Sequence, residues 1–289
     1  MTAAETGGTD ETAAAAETAA AVETRETADG SQTRGLAEAA RRVRAEAVAE
    51  TRAFLRRRTA VFFTFFFPVF IVLIFGVLVK TGATGGLFSR PDAYYLPAYL
   101  GVVVVLTPLS RVGSTVARNR ASRRFEKLAT TPLSRLEWLS AHAAVNVALI
   151  GLAGVLLVGV LAAVGDLGAA PSLGGDALVV AFLVVGIALF CGLGSLIGSL
   201  ADSEDGVIAA SNAVGIPMVL LADTFVPASR LPAALRPVVD ALPLTYFARG
   251  VRAAVAGGQL PTALSDLAIL CGFAVALFAL SARLLPWRE

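Results

Sequence analysis

The sequence is short of the residues that perform chemistry. It holds one histidine, two cysteines and two lysines in 289 residues, and only 16% of it is charged, against about 25% in an ordinary soluble domain. His142 is the single imidazole and has no carboxylate near it in sequence. No serine–histidine–aspartate set and no metal-ligand cluster is therefore readable, and His142 is expected to be a packing or interface residue. Cys191 and Cys271 sit in apolar runs at different depths. A disulfide needs Cα atoms within about 7 Å, so both are expected as small packing residues. A glycine-rich GxxxxGK[ST] loop is missing, which leaves nothing to cradle nucleotide phosphates. Carboxylates at mid-membrane depth, the usual mark of an ion-coupled transporter, are missing too: Arg111, Asp223, Asp266 and Arg283 fall toward the ends of apolar runs, and Asn146 and Asn212 are neutral amides.

What remains is apolar. Hydrophobic residues make up 56% of the chain and the mean hydropathy is +0.73. The runs approach or exceed the roughly 20 residues that cover about 30 Å of hydrocarbon as a helix. They lack the two-residue alternation of barrel strands, so helices are expected. Six spans are predicted, at 60–79, 94–116, 138–164, 177–200, 206–224 and 262–285, with Pro68 as a kink in the first. The expected fold is all-α: a polytopic membrane protein with six transmembrane helices.

The ends and loops divide by composition. Residues 1–35 are mostly Thr, Ala, Glu and Gly, with almost no large apolar side chain; such a segment cannot offset its ordering entropy and is expected to be a disordered acidic tail. It lacks the apolar core of a signal peptide. In 36–58, Leu36, Ala40, Val43, Ala47 and Phe54 recur at helical spacing among seven arginines, the pattern of an amphipathic interface helix or, alternatively, of a solvated basic linker. The remainder, 59–289, is the six-span domain. Those arginines, together with Arg118, Arg120, Arg123, Arg124, Lys127 and Arg135 between the second and third spans, place both termini in the cytoplasm by the positive-inside rule. Arg230, Arg236, Arg249 and Arg252, after the fifth span, run against that rule.

Two segments stand out. Between Arg118 and Glu137, Phe125, Leu128, Leu133 and Leu136 alternate with charges, and Pro132 interrupts them. The residues leave three roles open: fixing topology, binding anionic lipid, or docking a protein in whose groove Phe125 and Leu128 would sit. The second segment, 225–258, carries Pro227, Pro232, Pro237 and Pro243. It is too apolar for a solvated loop and too broken for a span, so short re-entrant helices in the outer leaflet are expected. Arg249 and Arg252 are expected to snorkel to headgroups, and Tyr246 and Phe247 suit the interfacial aromatic belt.

Both segments carry a resemblance. The stretch from Leu128 to Leu139, with Thr131-Pro132-Leu133-Ser134-Arg135, resembles a cytoplasmic stretch of the ABC-2 type transporter permeases. Pro243-Leu244-Thr245-Tyr246 with Arg252, and Phe225-Val226-Pro227 with Leu231-Pro232, resemble their segment before the last span. Leu242 and Arg249 depart from the family pattern, which commonly has Asn and an acidic residue there. The resemblance implies an exporter subunit in the cell membrane that pairs as a homodimer and docks a separate ABC ATPase. Arg123, Arg124, Phe125, Glu126, Lys127, Leu128, Thr131 and Pro132 would form the coupling helix. Pro227, Pro232, Pro243, Tyr246 and Arg252 would belong to an extracellular gate. ATP and magnesium would be bound by the ATPase, with no cofactor in this chain and no nucleic-acid partner. An ion-coupled transporter and a non-transporting scaffold are the rival readings.

Overall fold

The computed structural model describes residues 35–72, 74, 92–164, 173–225, 231–256 and 259–287, and every regular element among them is a helix. α1 (35–55) is followed by α2 (Arg58–Val72), α3 (Asp92–Ala121), α4 (Arg124–Leu128), α5 (Arg135–Val164), α6 (Leu173–Leu200) and α7 (Glu204–Leu221). A single 3₁₀ turn (Ala233–Leu235), α8 (Arg236–Ala241), α9 (Pro243–Ala256) and α10 (Leu260–Leu284) complete the chain. The expected acidic tail except Gly35, all of 80–90, and Pro227 and Arg230 lie outside the described residues.

Five helices, α3, α5, α6, α7 and α10, are long and apolar enough to cross a membrane. Many large apolar side chains on them point outward, among them Leu152, Val155, Val180, Leu264 and Val275. Outward apolar side chains are what a bundle solvated by lipid shows. The protein is an all-α polytopic membrane protein. Its expected first span begins as α2, whose Phe62, Phe66 and Phe70 rings form an outward stack; the rest of that span, except Ile74, is outside the described residues.

α3 is the axis of the bundle: 78% of its apolar window is buried, against 17% for α10. Close packing against α6 explains much of this. A Cβ on Gly194 would stand 2.5 Å from the Leu109 carbonyl oxygen, and one on Gly198 would overlap the backbone of Gly113. The Gly194/Gly198 pair therefore closes a crossing within one chain, where small residues let two backbones touch.

Helix starts follow local chemistry. Ser203 caps α7 by accepting from the Gly206 amide at 3.1 Å, with Glu204 and Asp205 in the first turn, where carboxylates complement the helix dipole. Ser134 and Glu137 form a reciprocal capping box at α5: the Ser134 hydroxyl accepts from the Glu137 amide and the Glu137 carboxylate accepts from the Ser134 amide.

Candidate functional site at the two poles of the bundle

The helix directions give the bundle two poles. One holds α1, α4, the α6–α7 turn and the end of α10; the other holds the start of α3, the end of α7, α8 and α9.

At the first pole, α3 ends at Ala121 and the chain turns sharply into α4. Arg123 makes the turn at φ 54°, in the left-handed region that L-residues adopt at a cost. α4 then exposes Arg123, Arg124, Glu126 and Lys127, and beyond it Thr131 and Pro132 are exposed as well. Phe125, expected on the face that meets a partner, points the opposite way in the chain by itself. It is 1% exposed, packed edge-on against Trp138 at 5.2 Å and against Trp287 at 5.5 Å. Leu128 is half-buried against the same core. A five-residue helix cannot hold itself in water, so the ring that anchors it must point inward.

Several of the basic residues near α4 are already engaged. Arg118 binds Glu204 at 2.5 Å, and Arg120 donates to the carbonyls of Ser199 and Ala201, capping the end of α6. Arg135 donates to the Arg283 carbonyl at 2.8 Å, tying α5 to the end of α10. Arg124 lies 3.6 Å from Glu46. This leaves Arg123, whose closest carboxylate is its own neighbour Glu126 at 3.9 Å, and Lys127 as the outward charges.

α1 is held to this pole by a polar cluster that sequence separation concealed. Arg42 grips Glu137 at 2.6 Å. Glu46 and Glu50 approach the buried His142 at 3.7 and 3.9 Å, and Glu50 also pairs with Arg111 at 3.2 Å. The guanidinium of Arg111 lies over the Phe54 ring at 4.2 Å. His142 thus has two carboxylate neighbours, brought from about ninety residues away in sequence. The imidazole, with Arg124 behind it, holds the Glu46 carboxyl below the usual carboxylate range in spite of its burial. A Ser134-x-x-Glu137 spacing is the pattern of a capping box and could have marked the start of α5. Spacing alone offered no signal for Glu46 and Glu50, because on α1 they read as the solvated side of an amphipathic helix.

At the second pole, α9 packs into the bundle, with Leu244, Phe247, Ala248 and Val251 fully buried. Gly250 admits the Phe182 ring, which would overlap any Cβ placed there. Arg252 does not snorkel. It binds the Asp223 carboxylate at 3.0 Å and the Asp223 and Thr224 carbonyls, and covers the Tyr94 ring at 4.5 Å. One side chain thereby joins α9, the end of α7 and the start of α3. Tyr246 donates its hydroxyl to the Asp240 carbonyl at 2.7 Å, and Arg249 lies over its ring. Pro243 starts α9 and Pro232 precedes the 3₁₀ turn, positions where a missing amide costs nothing.

Among the described residues no three His, Cys, Asp or Glu side chains are grouped to hold a metal ion, and Cys191 and Cys271 are free thiols. The sequence profile described as ABC-2 type transporter matches residues 42–255, from within α1 to the penultimate residue of α9. No curated protein matches the chain.

Proposed function

The chain belongs to the ABC-2 type transporter family, and from that premise we propose that this permease exports its substrate from the cell using ATP hydrolysed by a separate subunit. The observation that carries the reading is α4. It is a short helix with an exposed charged face, fixed to the bundle by Phe125 and placed between the two longest helices, α3 and α5. A push on α4 has little compliance to dissipate into: Phe125 bears on Trp138 of α5 and on Trp287 after α10, while α3 follows directly through the Arg123 turn.

In this reading Arg123, Arg124, Glu126, Lys127, Thr131 and Pro132 meet the ATPase, which binds ATP and magnesium, and Phe125 with Leu128 transmits the movement. α1 acts as a brace. α9, Tyr246 and the Arg252 clasp form the outer gate, and two copies of the chain enclose the pathway in the cell membrane. Six crossings with both termini in the cytoplasm agree with α2 starting at the same pole at which α3 and α10 end. The outer clasp also accounts for two of the four arginines that opposed the positive-inside rule: Arg252 is consumed by Asp223, and Arg249 lies 3.7 Å from Asp240.

The test is purification of the tagged full chain from its own cells in mild detergent. The expected result is a stoichiometric ATPase subunit and ATP turnover inhibited by vanadate. A chain that purifies without an ATPase, yet still moves solute in proteoliposomes on an ion gradient, would contradict the proposal.

A further inference from the structure

A cavity of about 400 Å³ opens between α1, α2, α3 and the start of α7. Along α3 its lining runs from Arg118 to Leu106, about 18 Å at 1.5 Å per residue. Polarity falls along that length. Arg57, Arg118 and Glu204 stand at the pole, the Glu50–Arg111 pair lies inward of them, and Phe63 with Leu106 forms the deeper wall. Thr107, Ser110 and Ser114 add hydroxyls along the α3 side.

The charges of this cavity are unbalanced. Glu50 is taken by Arg111 and Glu204 by Arg118, so both carboxylates are neutralised by arginines in the wall. Arg57 is exposed, and no carboxylate among the described residues pairs with it. Arg111 keeps one guanidinium nitrogen, Nη1, buried and without a hydrogen-bond partner. A buried, unpartnered donor on a charged group is expensive, and Arg57 adds a like charge on the same cavity. An anion between them would remove that repulsion, and the exposed Arg57 guanidinium would donate to it. A phosphate suits two guanidinium groups and nearby hydroxyls, while the apolar inner wall suits a hydrocarbon chain rather than a free ion.

We propose that this cavity binds the phosphate of an anionic amphiphile, with its head between Arg57 and Arg111 and its chain along Phe63 and Leu106. The site goes beyond the transport reading and stands whether or not a separate ATPase drives the protein. The same phosphate chemistry could come from a free phosphate, and the chain-binding wall separates the two sources.

The test is native mass spectrometry and microscale titration of the full chain in a neutral detergent. Three probes are used: oleoyl lysophosphatidic acid, with phosphate and chain; monooleoylglycerol, with the chain alone; and inorganic phosphate. The expected result is saturable one-to-one binding of lysophosphatidic acid, with at least tenfold weaker binding of the other two. Arg57→Gln should weaken lysophosphatidic acid binding roughly tenfold, the scale of one lost charge-assisted hydrogen bond, and Phe63→Ala should weaken it as well. Arg57 and Phe63 are exposed, so neither change threatens the fold. Arg52→Gln, an exposed arginine of α1 outside the cavity, should leave affinity unchanged. Equal binding of monooleoylglycerol would overturn the proposal in favour of a greasy cleft. Equal binding of inorganic phosphate would overturn it in favour of a free anion. An equal loss in Arg57→Gln and Arg52→Gln would reduce it to surface charge.

Discussion

Phe125 is the side chain on which the first pole rests. Its ring fills the space between Trp138 and Trp287, and Phe125→Ala would leave a cavity that neither indole can close. Loss of about 3–5 kcal/mol is expected, seen as a lower Tm of the detergent-solubilised chain, while Lys127→Ala should stay within about 0.5 kcal/mol of the parent. Equal and small effects of the two would show that α4 is not anchored as described. Arg123 separates structure from docking in another way. At φ 54° the L-residue costs about 1–2 kcal/mol, whereas glycine is unstrained there and gives back part of the gain through its freer unfolded chain. Arg123→Gly should therefore raise stability by roughly 0.5–1 kcal/mol while weakening attachment of the ATPase. A destabilised variant would contradict the strain argument. At this scale the sequence was a partial guide. It showed that aromatic and basic residues share the segment, but a helical stripe of Phe and Leu has the same pattern whether it faces a partner or the chain's own core. The partners that decide the matter, Trp138 on α5 and Trp287 after α10, lie 13 and 162 positions away.

Among the elements, the spans were the most legible. Predicted spans at 94–116, 138–164, 177–200, 206–224 and 262–285 correspond to α3, α5, α6, α7 and α10, because a run of apolar side chains in lipid has only the helix to satisfy its backbone. Two elements read less well. α3 continues past Val116 to Ala121, since Arg118 and Arg120 find partners on the α6–α7 turn and need not mark a loop. α1 is a helix as expected, yet its polar face is turned in part toward protein: Glu46 and Glu50 bind His142 and Arg111, and Arg42 binds Glu137. This predicts a pH response. With its folded pKa held below the ordinary value, the Glu46 contribution is fully present above the usual carboxylate pKa. It is lost as pH falls through the lowered folded value. Acid should therefore loosen α1, measurable as faster tryptic cleavage near Arg56 after a brief acid pulse and as a falling Tm. Glu46→Gln should shrink the acid-dependent part of that fall. An unchanged acid slope in that variant would mean that α1 is held by packing alone.

For the whole molecule, the arrangement is a bundle around α3 with a charged pole at one end and a clasped pole at the other. The first carries α4, α1 and the cavity lined by Arg57 and Arg111; the second carries α9 and the Arg252–Asp223 pair. We assign the first to the cytoplasm and to a separate ATPase, which composition suggests only through the bias of the loops. The most direct measurement is a photo-crosslinking residue placed in the full chain in native membranes, at Lys127, at Thr131, and at Val238 of α8. Val238 is exposed at the opposite pole. The account predicts adducts between Lys127 or Thr131 and a nucleotide-binding ATPase subunit, growing stronger when ATP is trapped, and none from Val238. An ATPase adduct from Val238, or none from either α4-side position in an active complex, would contradict it.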